Sequence, residues 1–215
     1  MNNLNNFKKT FLSSDISALE ELFSILNNHF YDGSLVHPII TVIPRGRHKK
    51  TTGWCSNSYL WKTNEPTDNS DSEAYYELNI CAEDLASDFE RIAETMLHQM
   101  VHLYNAMNSI PDTSREDTYH NAHFKEIAET HGLIVEKHPT DGFSITHLAP
   151  ITREYIQTLS GFHFDFFRKE MKTQTKKRQS TIKLTCPICG CIARVTSPKT
   201  KIMCESCKSS MSCLD

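Results

Sequence analysis

Residues 94–108 read ETMLHQMVHLYNAMN. Met96, Leu97, Met100, Val101 and Tyr104 recur at three- and four-residue steps, the period of a helix with one buried face. Leu85, Phe89, Ile92 and Ala93 carry the same stripe backwards, so a helix is expected from about Ala82 to Asn108, with a lead-in turn over 82–87. His98 and His102 stand four residues apart and therefore share a face of that helix. Two imidazoles so placed can reach one tetrahedral metal ion. A buried central helix is a costly place for unpartnered histidines, which strengthens the metal reading over a chance pair. A catalytic zinc usually takes three protein ligands and keeps one position open. The loop expected over 109–121 and the residues just after it offer His120 and His123, and spacing alone does not choose between them.

Outward from the helix, the chain reads as mixed α and β. Ile16, Leu19, Leu22, Phe23, Leu26 and Phe30 form a helical stripe over 15–30, after a Ser/Asp cap and before the Asp32-Gly33 stop. PIITVIP (38–44), TTGWCSNSYLW (51–61) and YYELNICA (75–82) read as strands, the last two separated by a polar loop. Beyond the central helix come a second helix over 122–132, ended by Gly132, then strands LIVEK and GFSITHL and a closing helix over 151–161.

The order of helix, strands, HxxxH helix, polar loop and a second helix opening on a histidine resembles the SprT-like domain, the family of bacterial SprT proteins and the animal Spartan protease. TTGWCS and YYELNICAEDL resemble such proteins as well. The family pattern is His-Glu-x-x-His, followed by His-Gly/Asn-x-x-Phe at the start of the next helix. Here His120, Asn121 and Phe124 match that second motif, so the resemblance assigns the third ligand to His120 and sets His123 on the surface or behind the site. It implies an α+β, zincin-like minimal metalloprotease domain, a small sheet packed on the HxxxH helix, and a zinc-dependent endopeptidase acting on protein. Glu94, one turn before His98, is a candidate to orient a ligand or simply a surface carboxylate. Tyr104 and Tyr119 are candidate oxyanion donors by proximity.

The departure from the pattern is Gln99, at the position of the catalytic glutamate. That glutamate takes the proton of the attacking water and delivers it to the leaving amine. Glutamine keeps the size and the hydrogen-bonding capacity but cannot carry a proton at neutral pH. Such groups are worth about 10²–10⁴ in rate, so the chain is expected to be nearly inactive as a protease. Two explanations compete: a glutamate replaced by glutamine, which traps substrate with the metal site intact, or a natural pseudoprotease serving as a zinc-containing protein- or DNA-binding module. Retention of all three ligands favours the first.

Six of the eight cysteines fall between Cys186 and Cys213. Cys186 and Cys189 form one C-x₂-C knuckle and Cys204 and Cys207 a second, the pattern of a closed four-thiolate structural zinc site. Cys191 and Cys213 fall outside that spacing; Cys191 is a possible substitute for Cys189. A module this small depends on its metal for stability. The expected organisation is a metalloprotease domain over 1–167, a basic linker over 168–183 and a zinc ribbon over 184–215, with one catalytic and one structural zinc.

The overall charge of −3 hides an acidic body and a basic tail: residues 168–215 carry +8. Arg168, Lys169, Lys172, Lys176, Lys177, Arg178 and Lys183 are therefore candidate DNA contacts, against the plainer reading of a solvated linker. No apolar run is long enough for a membrane span and the first residues lack a secretory signal, so a cytoplasmic protein, with nucleoid association as a variant, is expected.

Overall fold

Helix α1 (Leu12–Phe30) turns Leu19, Leu22, Phe23 and Leu26 into the core with no exposed surface. It starts earlier than a Ser/Asp cap would place it: Phe11 is the N-cap and makes no side-chain cap bond. Asp15 is instead buried, and its two carboxylate oxygens accept the backbone N–H groups of Asp165 and Phe166 at 3.1 and 2.9 Å. A residue with the chemistry of a helix cap thus ties down a segment 150 positions away. At the other end, Asn27 donates to the Leu35 carbonyl at 3.0 Å and accepts the Leu35 N–H at 3.1 Å, closing the turn through Asp32 and Gly33. These observations come from a computed structural model that describes residues 11–45, 51–63, 74–170 and 181–213.

Strands β1 (Ile39–Ile43), β2 (Gly53–Cys55) and β5 (Glu77–Cys81) form a sheet in the order β1-β5-β2. The β1–β5 pair is parallel and β2 runs antiparallel to β5, at the sheet's edge. The single strand expected over 51–61 is broken. Ser56 accepts the Glu77 N–H at 2.9 Å and donates to the Ser58 carbonyl at 2.8 Å, so the chain turns away from the sheet there. It resumes as β3 (Trp61–Lys62), paired with β4 (Ala74–Tyr75) in a separate hairpin. The indole N–H of Trp61 donates to Glu77, fastening that hairpin to β5.

After a 3-10 turn at Asp84–Ala86, within the expected lead-in, helix α2 (Phe89–Met107) begins with the Asp88 carboxylate accepting the Arg91 N–H at 2.8 Å. Ile92, Ala93, Met96, Leu97, Met100, Val101 and Leu103 are buried, which makes α2 the axis of the core. The segment read as a loop carries two short strands, β6 (Thr113–Ser114) and β7 (Tyr119–His120). They join β8 (Leu133–His138) and β9 (Gly142–Leu148) in a sheet ordered β6-β7-β9-β8. Two-residue strands leave too little alternation to be read from sequence. Helix α3 (Ala122–Thr130) follows β7 directly, capped by Asn121, whose side chain accepts from His123 and Phe124. Helix α4 (Pro150–Thr158) closes the α+β domain, buried through Thr152 and Ile156.

The chain divides into two compact units, Met1–Glu170 and Met171–Asp215. The basic stretch begins within the first: the Arg168 N–H donates to the Ala82 carbonyl at 2.9 Å, and Glu170 pairs with Arg45 at 3.2 Å. In the second unit, β10 (Ile182–Thr185) pairs antiparallel with β11 (Ile192–Val195), and β12 (Met203–Cys204) with β13 (Ser209–Ser210). Among the described residues its buried core is Leu184, Cys186, Val195, Cys204 and Met211. Among the described residues no helix is long and apolar enough to cross a membrane.

Candidate metal centre and cleft

His98 and His102 project from α2, and His120 arrives from the end of β7, immediately before the cap of α3. The Nε2 of His120 lies 3.3 Å from that of His98 and 3.1 Å from that of His102. A single Nε2–H can point at only one acceptor, so hydrogen bonding alone cannot satisfy both approaches. A tetrahedral zinc with Zn–N bonds of about 2.0–2.1 Å would set its nitrogens about 3.3 Å apart, and the observed spacings match. The three side chains can hold one metal ion, with their ligand atoms within 4.8 Å of one another.

The opposite ring nitrogens support the same use. His102 Nδ1 lies 2.7 Å from Asp112 Oδ2, which also accepts from the Asn105 amide at 3.0 Å. His98 Nδ1 lies 3.1 Å from Thr146 Oγ1 on β9. With Nδ1 carrying the proton toward these oxygens, each Nε2 presents its lone pair to the centre. Burial holds His98 well below its ordinary pKa, with His102, His120 and Arg91 adding to the effect. Burial, then His102, pushes His120 down to about 4. Burial alone would raise Asp112, but the hydrogen bond and charge of His102, with the Asn105 bond, outweigh it and leave its pKa lowered. His98 and His120 are thus held uncharged at neutral pH, and the carboxylate of Asp112 behind His102 is ionised, an arrangement that suits a divalent cation. Sequence reading did not single out Asp112 or Thr146: an aspartate in a polar loop and a threonine in a strand carry no spacing signal.

Phe124 explains the register. Its ring is fully buried and packs at centroid distances of 4.7, 4.8 and 4.5 Å against His98, His102 and His120. His123 is exposed, with Nδ1 3.2 Å from the Pro111 carbonyl, and stands outside the cluster. Gly142, at φ +72°, lies against the carbonyl of His120, where a Cβ would come within 2.1 Å.

The three histidines open into a cleft of about 1320 Å³. One wall is edge strand β2 with Gly53, Trp54 and Cys55; Thr146 and His147 of β9 and Glu116 and Asp117 of the β6–β7 turn also line it. Gln99 lies in the same cleft and is buried, its Oε1 without a hydrogen-bonding partner among the described residues. Glu94 is buried rather than a surface carboxylate: it pairs with Arg91, and His147 Nδ1 lies 3.8 Å from its Oε2. Burial raises its pKa, which Arg91 and His147 partly offset. Tyr104 and Tyr119, the candidate oxyanion donors, do not line the cleft. Tyr104 packs on Tyr31 and His131, and Tyr119 lies under the Arg115 guanidinium.

In the second unit Cys186, Cys189, Cys204 and Cys207 form a second group able to hold a metal, their sulfurs within 4.8 Å of one another. Each pair sits at a hairpin, between β10 and β11 and at the β12–β13 turn. The Cys189–Cys204 sulfur separation of 3.6 Å is near the roughly 3.8 Å edge of a zinc tetrahedron with 2.3 Å bonds. Cys191 lies 3.9 Å from Cys204, adjacent to the group without belonging to it. Of the basic residues singled out by charge, Arg168, Lys169 and Lys183 are exposed; Lys172, Lys176, Lys177 and Arg178 lie outside the described residues.

A helix bearing two histidines one turn apart, a third from the following strand and an adjoining cleft define a metal-binding domain of the metallopeptidase type. The SprT-like family matches residues 19–146, more than half of the chain, and the chain belongs to that family. Comparison with curated proteins and with solved structures gave no match.

Proposed function

We propose that this protein is a zinc endopeptidase scaffold of the SprT/Spartan type, built to take protein substrates near DNA, with its hydrolytic step disabled at Gln99. The convergence of the His98, His102 and His120 Nε2 atoms carries this reading. Zinc at that centre would polarise a peptide carbonyl and make water a better nucleophile. The chain's own residues supply the rest. Asp112 and Thr146 hold two of the ligands in the binding tautomer. Edge strand β2 on the cleft wall suits an extended peptide, which can add to the sheet by main-chain hydrogen bonds. Gln99 can hydrogen-bond to water or substrate but has no site for the proton that must travel to the leaving amine.

The decisive experiment is Gln99→Glu. Chelator-sensitive cleavage of a test protein, with DNA present, should rise by about 10²–10⁴ over the unaltered chain. No cleavage by the glutamate variant would favour the second reading, a pseudoprotease that holds a protein or DNA partner; the absence of any proton carrier at position 99 is the observation behind it. The four-cysteine group is proposed to be a structural zinc ribbon, and the basic residues from Arg168 to Lys183 to contact DNA through phosphates. DNA affinity should then fall steeply with salt and be lost when residues 168–215 are removed.

A further inference from the structure

The charges lining the cleft do not balance. Its two arginines are compensated by carboxylates: Arg45 faces Asp84 at 2.7 Å, Glu170 at 3.2 Å and Glu83 at 3.9 Å, and Arg91 pairs with Glu94. Asp112 serves His102 and Asn105, and Asp141 faces His138 at 3.0 Å. Glu116 and Asp117 remain, on the β6–β7 turn just before the strand that carries His120. Asp117 accepts the Thr113 hydroxyl at 2.8 Å, a bond that steadies its carboxylate without neutralising it. Glu116 is exposed and, among the described residues, meets no cation. The neighbouring Arg115 guanidinium lies over the Tyr119 ring, 4.8 Å from its centroid. Arg115, Glu116 and Asp117 all have left-handed backbone, at φ +54°, +56° and +60°, a region that residues with a Cβ enter at a cost. Gln99 is an independent sign of what the cleft takes. It is only 3% exposed and lines the same cleft, and its Oε1, an acceptor, has no partner among the described residues. A ligand that completes the site brings an N–H donor to that oxygen and positive charge to the turn.

We propose that the cleft selects basic stretches of polypeptide, with a lysine or arginine side chain of the bound chain received by Glu116 and Asp117. The inference rests on the peptide-cleft reading above and names its substrate class. The cation belongs at the turn and not at the histidines, because a divalent ion held there would repel it. A cleft of about 1320 Å³ bordered by edge strand β2 suits an extended chain better than a small polyamine. One main-chain N–H of that chain donates to Gln99 Oε1. Charge complementarity at the turn then decides which chains enter, more than how tightly an average chain is held.

With Gln99 in place the full-length, zinc-supplied chain allows binding to be read directly, by calorimetry at low ionic strength. The probes are an alanine-rich peptide carrying two lysines and blocked at both ends, the same peptide with glutamines for the lysines, and spermine. The lysine peptide should bind at least about tenfold tighter than the glutamine peptide. The double variant Glu116→Gln, Asp117→Asn should weaken the lysine peptide at least about fivefold and leave the glutamine peptide within about twofold. Asparagine tolerates left-handed backbone and can still bond Thr113, so the turn should keep its shape. Glu20→Gln, on the exposed side of α1, removes an acidic charge elsewhere and should leave both affinities unchanged. Equal affinity for the two peptides on the unaltered chain overturns the proposal, and that comparison needs no variant. An equal loss with Glu20→Gln assigns the preference to overall charge and overturns the role of the turn. Spermine binding as tightly as the lysine peptide overturns the chain assignment. Metal analysis of the same sample separates the two levels. A His98–His102–His120 centre that takes up no zinc overturns the metalloprotease reading, while a lysine preference lost in the double variant would still stand. A zinc-loaded centre without that preference overturns this inference alone.

Discussion

In the function proposed above, Asp112 and Gln99 act on the same centre from opposite directions, one by holding a ligand and the other by withholding a proton carrier. Asp112 fixes His102 through a 2.7 Å contact, so Asp112→Asn should lower zinc affinity at the histidine centre about 10–100-fold, read by competition with a chromophoric chelator. The change should leave the cysteine group's metal in place. Protonation offers a second test. His120 in the metal-free fold titrates near 4, below its ordinary 6.5, because burial disfavours its charged form. The unfolded chain therefore binds a proton that the folded chain refuses between those values. Stability of the chelated protein is retained above pH 6.5 and declines as pH falls from 6.5 toward 4. Denaturant midpoints across that range should show the slope, and zinc should suppress its onset by occupying the imidazoles.

The elements that carry the site are held by close backbone approaches. At Gly53 on β2, a Cβ would come within 2.5 Å of the Asn79 carbonyl and within 3.3 Å of the Gln99 and Thr95 side chains. Gly53→Val should cost at least about 1–3 kcal/mol in unfolding free energy and move β2 away from α2. Gly142 sets the other side. Its left-handed backbone and its contact with the His120 carbonyl leave no room for a side chain, so Gly142→Ala should displace His120. The measurable result is weaker zinc binding at the histidine centre with the helical content of the domain retained. Helix α2 needs no such device, because its buried stripe packs on β2, β5 and α3 along its length.

At the scale of the molecule, the two units rest on different forces. The first buries a core around α2 and is further tied by Asp15, whose carboxylate receives the Asp165 and Phe166 N–H groups. Asp15→Ala should lower its stability by roughly 1–3 kcal/mol for each donor left without an acceptor, seen as a lower denaturant midpoint. Among the described residues the second unit has a buried core of five side chains, two of them from the four-cysteine group able to hold a metal. Strong chelation should therefore melt residues 182–213 while the first unit keeps its helices. Backbone NMR would show the loss of dispersion confined to the second unit.

The central helix, the pair His98 and His102, the two cysteine knuckles and the glutamine at position 99 could all be read along the chain alone. Those features are local: a helical period, an i, i+4 spacing and a C-x₂-C spacing are each complete within a few residues. His120 was legible only through its resemblance to a family motif, because distance along the chain says nothing of which of two nearby histidines faces the centre. Tertiary structure decided that by burying Phe124 against all three imidazoles while His123 remained exposed. It also decided the roles of Asp112, Thr146, Glu94 and Asp15, polar side chains whose partners come from other parts of the fold. A hydrogen bond depends on the direction and burial of both partners, and for groups 10 to 150 positions apart only the packed chain sets them.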